Sequence, residues 1–501
     1  MIKRGKIIAL LLGIFAALIL SSCATETQEY YISDDYAVAD DEYDANYENP
    51  DTDIMQAVFT GVPIRRDELL WQEGRHGEWE QDIRYFAVMV LRNHPLLQSF
   101  DSLGRMAIIE REVVDYPRVV HDVLLQRVAN RNMILSDDAD YIIYELRARF
   151  TYQVNSLILN IPYLSDYELM FGLSSIAAIL GDAHTYVSPA AEYTFPVRVR
   201  GLYGGFYITT VPRDLEHILY GKLVAINGVE FDEIISRARK TFPYENEYGL
   251  RYQLMPSIFA INIVLYYIGV TDSLHVADFR IIDVHGETVD IQIETMKRDD
   301  FTNMSDEELA RYQPMLKDSR VEEHFWHEHF PDENLMYIRI TRFTPSQELN
   351  MARNELREKM RDWQYGDTTR FILDLRGNPG GHRDAEWPQA GDIRMLNEIA
   401  ETVYLLIDGR STSMSVNMAS AMINNIDNLI VIGTPSGQPP NFFSGPVGNL
   451  ANTELRYQIA HGMTINSTSE DVAIRPDIII EATIEDIISG HDAVLAFIRG
   501  R

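Results

Sequence analysis

The sequence is poor in cysteine and in positive charge. Its only cysteine is Cys23, which excludes an intrachain disulfide and a zinc site built on several cysteines. Asp and Glu number 75 against 44 Lys and Arg, and the net charge of -31 argues against nucleic acid as a partner and against direct adsorption to anionic lipid. No apolar run beyond residues 1–22 is long enough to span a bilayer. With 46% hydrophobic residues in 501 positions, the chain can nevertheless form several buried cores.

Residues 1–22 have the organisation of a secretory signal peptide. Basic residues come first, and an uncharged apolar run follows at 7–20. The sequence Leu-Ser-Ser-Cys at 20–23 resembles a bacterial lipobox, in which the cysteine is lipidated and becomes the mature N-terminus. We therefore expect Cys23 to anchor the chain to a bacterial membrane outside the cytoplasm. The alternative is an ordinary signal peptide that contains a cysteine by chance.

The segment 23–60 is acidic and has no Lys or Arg. Like-charge repulsion and low hydrophobicity predict a disordered tether, with cation binding as the less favoured alternative. Beyond the tether, the pattern of hydrophobic and polar residues divides the sequence into four regions. The regions are a helical one at 61–192, a strand-rich one at 193–242, a mixed strand and helix one at 243–330, and one that alternates strands with helices at 331–501.

The alternation in 331–501 predicts an α/β core. The predicted strands are 336–340, 371–375, 403–407 and 429–432, and the predicted helices between them are 346–362, 391–401 and 414–425. Such a rhythm indicates a largely parallel sheet covered by helices. A functional site is then expected in the loops at the carboxyl ends of the strands.

Two of these loops contain residues suited to chemistry. Ser411, Ser413 and Ser415 lie where a helix opens, so that a hydroxyl there stands at the positive end of the helix. Gly380 and Gly381 follow an earlier strand, and glycines let backbone N–H groups approach a ligand closely. Helix capping by the serines and a plain strand-end loop are the structural alternatives.

A histidine-rich stretch at 322–329 raises the question of a metal site. Its spacing is not that of a zinc-binding helix, and Phe325 and Trp326 interrupt it. We interpret it as the solvated face of a helix with an aromatic anchor, and keep a metal site as the alternative.

Several segments together resemble the C-terminal-processing (tail-specific) serine proteases. Residues 371–381, FILDLRGNPGG, resemble their glycine-loop motif, and residues 403–421 align with their nucleophile strand, turn and helix, which puts Ser413 at the serine. Residues 221–233 resemble the second half of their PDZ-like domain. The sequence Asp-Ala-His-Thr at 182–185 resembles the motif of the tricorn-core-like branch.

The resemblance implies a multi-domain α+β chain. It places a crotonase/ClpP-like βαβ catalytic core at 331–501, a PDZ-like domain at 193–242, a connecting region at 243–330 and a helical domain with the Asp-x-His-Thr motif at 61–192. It also implies a membrane-anchored serine endopeptidase that cleaves extracytoplasmic peptides or unfolded proteins through an acyl-enzyme. No cofactor and no metal is implied.

The resemblance also suggests the base. The lysine-using branch carries its base in the segment that corresponds to 433–440, which has no lysine here; the last lysine is Lys359. The tricorn-like branch uses the histidine of its motif, supported by a serine and a glutamate. His184 matches the histidine, Ala183 replaces the supporting serine, and Glu470 is the candidate glutamate.

The implied oxyanion donors are the backbone N–H of Met414 and that of Gly380 or Gly381. The runner-up function is a pseudoprotease that binds peptides without cutting them. It is favoured by the absent lysine, by Ala183 and by Val416, where many relatives carry glutamate. A purely structural lipoprotein is a third possibility.

Overall fold

The computed structural model describes residues 74–98, 118–188, 191–312, 315–318, 320, 323–362, 369–467 and 471–500. The expected signal peptide, the lipidated Cys23, the tether and Glu470 lie outside these residues. Across the described ranges, no helix combines the length and the apolar character needed to cross a membrane.

The first part of the described chain is helical, as its sequence predicts. Its helices are α1 (Arg75–Asn93), α2 (Arg118–Arg131), α3 (Ala139–Leu159) and α4 (Asp166–Ala178). Helix α4 begins with a capping box in which Ser165 Oγ accepts the N–H of Glu168 at 3.3 Å and the Glu168 carboxylate accepts the N–H of Ser165 at 2.7 Å. After α4, Gly181 takes a φ of 61°, a left-handed conformation that glycine adopts without a steric penalty. The chain turns there and delivers the 182–185 motif into the interior.

An antiparallel sheet of seven strands follows, together with short helices. The elements up to the last strand of this sheet are β1 (Tyr186–Val187), β2 (Tyr193–Thr194), β3 (Arg198–Leu202), β4 (Gly205–Pro212), β5 (Lys222–Ile226), β6 (Val229–Glu230), α5 (Phe231–Thr241), α6 (Glu247–Gly249), a π turn (Leu250–Leu254), α7 (Met255–Ile258), α8 (Asn262–Tyr267), β7 (Val276–Ile282), β8 (Thr288–Glu294), β9 (Met296–Lys297), α9 (Arg298–Thr302) and β10 (Leu309–Arg311). The strand order is β10-β4-β5-β7-β8, with β3 also paired to β4 and β6 to β5. Strands from both sides of position 242, where the sequence analysis placed a boundary, therefore share one sheet.

The core predicted for 331–501 has the expected α/β architecture, but its sheet begins before that boundary, with the strand at 325–330. Its elements are β11 (Phe325–Phe330), β12 (Leu335–Ile340), α10 (Gln347–Asp362), β13 (Arg370–Asp374), α11 (Ala390–Ile399), β14 (Thr402–Ile407), α12 (Met414–Asn425), β15 (Leu429–Gly433), β16 (Phe442–Ser444), β17 (Val447–Asn449), β18 (Arg456–Gln458), β19 (Gly462–Thr464), β20 (Ile478–Ile479), α13 (Ile484–Ser489) and α14 (Ala493–Arg499). The main sheet has the order β11-β12-β13-β14-β15-β20, and every pair from β12 to β20 is parallel.

Helices cover both faces of this sheet. Side chains of α10, α11 and α12 pack with one set of strand residues, among them Ile338 and Leu405, whereas α14 packs with the alternate set, among them Tyr337 and Leu406. Because successive strand residues point to opposite faces, the near-continuous apolar strands are the consequence of burial on both sides. The predicted α/β fold class is confirmed.

The histidine-rich stretch is a strand, so the predicted helix is wrong there. Strand β11 pairs antiparallel with β12 along its whole length, with Phe325 opposite Ile340 and His329 opposite Met336. Pairing at the edge of the sheet buries Phe325 and Trp326 and decides the conformation of a segment whose own pattern is ambiguous. The histidines serve as edge-strand residues, and no metal-ligand cluster forms from them in the part of the chain that is described.

Candidate active site

Ser413 stands in a strained turn between β14 and α12. Its φ of 53° and ψ of -123° are rare for a residue with a Cβ. The turn is held because Ser411 Oγ donates to the carbonyl of Leu375 at 2.9 Å and Thr412 Oγ1 donates to that of Pro379 at 3.2 Å. The turn places the serine at the N-terminus of α12, where the helix dipole favours negative charge.

His184 reaches Ser413 from the helical part of the chain. Its Nε2 lies 3.2 Å from Ser413 Oγ, although 229 positions separate the two residues. The ring is 4% exposed and stacks on Phe442 with centroids 5.7 Å apart. A histidine within hydrogen-bond distance of a serine at a helix N-terminus is the geometry of a base beside its nucleophile.

The other residues of the 182–185 motif hold His184 in place. Asp182 Oδ1 accepts the backbone N–H of His184 at 2.8 Å, and Asp182 Oδ2 accepts the Thr185 hydroxyl at 2.7 Å. Thr185 Oγ1 in turn accepts the N–H of Ala460, and β1 pairs with β18 directly after the motif. The motif therefore ties the histidine to the catalytic part of the chain.

A second histidine supports Asp182. His94 Nδ1 accepts the N–H of Leu96 at 3.2 Å, so His94 Nε2 carries the proton that it shares with Asp182 Oδ2, also at 3.2 Å. Although burial opposes it, the His94 hydrogen bond and the nearby histidine charges hold the pKa of Asp182 below its ordinary value. Asp182 thus remains a carboxylate whose oxygens are occupied.

Glu245 is the functional candidate that the sequence analysis missed. It lies in the loop after α5, is 7% exposed, and brings Oε1 to 3.7 Å from His184 Nδ1, the ring nitrogen away from Ser413. The same Oε1 accepts the N–H of Ala183, at 3.3 Å. A lone glutamate in a loop has no spacing that would have identified it, and Glu470, the expected partner, lies outside the described residues.

Burial and neighbouring charges have opposite effects on the pKa values of Glu245 and His184. Burial raises the pKa of Glu245, and the neighbouring His184 partly offsets that rise. Burial alone would lower the pKa of His184, but the interaction with Glu245 and the charge of Asp182 outweigh it and raise the pKa. A raised pKa makes the imidazole a stronger proton acceptor.

Gln438 occupies the segment in which lysine-using relatives carry their base. Its Nε2 donates to Glu245 Oε1 at 2.8 Å and lies 3.3 Å from His184 Nδ1, and its Oε1 accepts the backbone N–H of Ser413. It is 2% exposed. A glutamine has no basic nitrogen, so its contribution to the site is hydrogen bonding.

Two of the three expected oxyanion donors are available. Within the described residues, the N–H groups of Met414 and Gly381 make no hydrogen bond. The N–H of Gly380 instead donates to Asn378 Oδ1 at 2.8 Å. Gly380 has another role, because a Cβ on it would lie 2.6 Å from Ser413 Cβ, so only glycine lets the loop approach the nucleophile this closely.

The glycine loop is anchored by buried charges. Arg376 Nη2 lies 2.6 Å from Asp374 Oδ2 and 2.8 Å from Asp492 Oδ2, and Tyr337 Oη donates to Asp374 Oδ2 at 2.6 Å. Asp492 caps α14, so the C-terminal helix and the glycine loop are joined through one guanidinium. A paired buried network of this kind fixes the loop beside Ser413.

Comparisons with known proteins agree with this architecture. Residues 334–393 match Peptidase family S41. No curated protein matches the chain in sequence. Among solved structures, mature CPAF complexed with lactacystin has 10% identity and a TM-score of 0.51, over 85% of this chain and 98% of that one.

Two further structures are similar at lower scores. The photosystem II D1 C-terminal processing protease has 12% identity and a TM-score of 0.32, over 72% of this chain and 92% of that one. The tricorn protease has 12% identity and a TM-score of 0.33, over 85% of this chain and 36% of that one. At 10% identity, the likeness to mature CPAF bears on the fold alone.

Proposed function

We propose that the chain is a serine peptidase similar to family S41, with Ser413 as its nucleophile, His184 as its base and Glu245 as the group that supports the base. The observation that carries the proposal is the line of three side chains in the interior. His184 presents Nε2 to Ser413 Oγ at 3.2 Å and Nδ1 to Glu245 Oε1 at 3.7 Å. A serine, a histidine and a carboxylate in this order have the geometry for acyl transfer.

The proposed reaction has two halves. His184 takes the proton of Ser413 as Oγ attacks the scissile carbonyl, and the oxyanion is held by the N–H groups of Met414 and Gly381. The imidazolium then protonates the leaving amine, which leaves an acyl-enzyme. A water molecule, deprotonated by the same histidine, releases the acyl group. Glu245 stabilises the positive charge that the ring carries between these steps.

The strand-rich sheet offers a place for substrate capture. A cavity of ≈ 480 Å³ at the β3–β4 turn has an apolar and a charged part, and its charged lining is mixed: basic Lys222 and Arg251 and acidic Asp232 and Glu481. Strand β4 is paired with β3 on one edge and with β5 and β10 on the other, so it cannot accept a peptide as an added strand. We therefore favour capture of a peptide terminus in this PDZ-like region, with its carboxylate near Lys222, because Arg251 already lies 3.8 Å from Glu481.

The proposed location rests on the lipobox at residues 20–23. Lipidation of Cys23 would hold the peptidase on the outer side of a bacterial membrane, where extracytoplasmic peptides and unfolded proteins are its substrates. We expect Cys23→Ser to appear in the soluble fraction or to remain unprocessed, whereas the wild type partitions into detergent. Wild-type protein that is soluble without detergent after signal cleavage would contradict this location.

The chemistry is tested by labelling with a fluorophosphonate probe, which reacts with activated serines. Ser413→Ala should abolish labelling and peptide cleavage, and His184→Ala should reduce both nearly as far, because the two residues act as one unit. Ser489→Ala is the matched control, since this exposed serine ends α13 and its hydroxyl donates to the carbonyls of Glu485 and Asp486 in its own helix. Undiminished labelling in Ser413→Ala would refute the nucleophile. Peptide binding without labelling would favour the pseudoprotease.

A further inference from the structure

Gln438 lies at the centre of the candidate active site, and its contacts fix which way its carboxamide faces. The N–H of Ser413 can only donate, so the carboxamide oxygen of Gln438 must face it. On the other side, Glu245 Oε1 already accepts the N–H of Ala183 and therefore receives the NH₂ group of Gln438. If the carboxamide were flipped, its NH₂ group would face the N–H of Ser413, and neither group could accept a hydrogen bond from the other.

This orientation decides the tautomer of His184. The NH₂ group of Gln438 lies 3.3 Å from His184 Nδ1 and is a donor, so Nδ1 must be the acceptor. The ring proton is then on Nε2, which faces Ser413 Oγ at 3.2 Å. A ring that donates to Ser413 cannot take its proton. The arrangement in this structure is therefore a resting one.

The working tautomer needs an acceptor for a proton on Nδ1, and one lies close by. Glu245 Oε1 is 3.7 Å away and Asp182 Oδ1 is 3.9 Å away, both beyond hydrogen-bond distance. Both carboxylate oxygens of Asp182 already accept hydrogen bonds, from the His184 N–H and the Thr185 hydroxyl. Glu245 Oε2, in contrast, is buried and forms no hydrogen bond in the described part of the chain. Glu245 therefore has the capacity to accept this proton after a small shift.

There is also space for the carboxamide to move. A cavity of ≈ 60 Å³ adjoins Gln438, His184 and Glu245, and its remaining wall includes Tyr186 and Leu254. A cavity of this size holds about two water molecules. The change of tautomer removes one proton from Nε2 and adds one to Nδ1 by exchange with solvent, so that the ring neither gains nor loses a proton overall.

We propose that Gln438 is a positioning residue that holds the peptidase in a latent state by keeping His184 in the Nε2–H tautomer, and that cleavage requires its carboxamide to leave Nδ1 so that Glu245 accepts the Nδ1 proton. The proposal rests on the function proposed above. It assigns a regulatory role to the segment in which lysine-using relatives carry their base.

Nitrogen NMR reports the tautomer without any substitution at Gln438. The full chain in detergent, with its 13 histidines labelled with ¹⁵N, is measured at a pH where the His184 ring is neutral, and the His184→Gln variant identifies the signals of this ring. We expect Nε2 to have the shift of a protonated nitrogen and Nδ1 that of an unprotonated one. A protonated Nδ1 in the resting protein would overturn the proposal, whether or not the peptidase is active.

The rate of fluorophosphonate labelling tests the consequence. Gln438→Leu removes the donor from Nδ1 and should speed labelling about two- to tenfold, the value of one net hydrogen bond. Gln126→Leu is the matched control, because Gln126 lies on α2 and donates to Asn130 Oδ1 at 3.4 Å, and its rate should not change.

The outcomes separate the two proposals. Slower labelling of a folded Gln438→Leu variant would overturn the proposed latent state and would leave the proposed peptidase function in place. Labelling that persists in Ser413→Ala would instead remove the nucleophile on which both depend. If Gln438→Leu does not fold, the NMR measurement decides.

Discussion

Replacing Glu245 by glutamine is the most direct test of the site, because this residue was found through the structure alone. The change keeps the volume of the side chain and an oxygen that can accept from Gln438, and it removes one buried negative charge. At 3.7 Å from His184 Nδ1, that charge interacts with an imidazolium by about 4 kcal/mol at an effective dielectric constant of about 20. The amide dipole recovers part of this interaction.

The net loss in transition-state stabilisation should therefore be about 2–4 kcal/mol, or about 30- to 1,000-fold in kcat/KM. The assay is hydrolysis of a fluorogenic peptide at substrate concentrations from far below to above KM, so that kcat and kcat/KM are both obtained, with fluorophosphonate labelling as a second measure. Because KM reports mostly ground-state binding, the loss should appear in kcat. Retained thermal stability would show that the fold is intact.

Two variants make the result specific. Glu247→Gln changes the exposed partner of Arg239 two positions further on, at the start of α6, and it should leave kcat/KM within a factor of about two. Glu470→Gln tests the residue that the sequence resemblance suggested. If Glu470→Gln costs more than Glu245→Gln, or if Glu245→Gln costs less than about threefold, the assignment of Glu245 is refuted.

Further predictions concern pH and the glycine loop. A base must be neutral to act, so the rate of cleavage should fall as the pH drops through the pKa of His184. Because that pKa is raised, the midpoint of the fall in the pH–rate profile should lie above about 6.5. Glu245→Gln should move this midpoint to lower pH. Gly380→Ala should abolish labelling, because its Cβ would overlap Ser413 at a φ of 103°, whereas Gly391→Ala, with open space around it, should label at the wild-type rate. Equal labelling of the two glycine variants would contradict the described packing.

The local pattern of the sequence was sufficient for the catalytic core. Buried strands such as β13 and β14 are short apolar runs, and the helices that separate the strands have their own periodicity, so each element is specified within its own segment. The capping box at Ser165 and the turn at Gly181 are equally local. The resemblance then singled out Ser413 and His184, and the fold brings their side chains together.

Tertiary structure decided the rest, because it depends on contacts between distant segments. The histidine-rich stretch forms β11 because it pairs with β12 at the edge of the sheet. The sheet that crosses position 242 is held together by the pairing of β5 with β7. Glu245 and Gln438 lie in loops without periodicity, 193 positions apart, and nothing in either segment indicates the other. Which loop side chains meet around His184 is set by the packing of the whole chain, so the supporting carboxylate and the glutamine beside it were visible only in three dimensions.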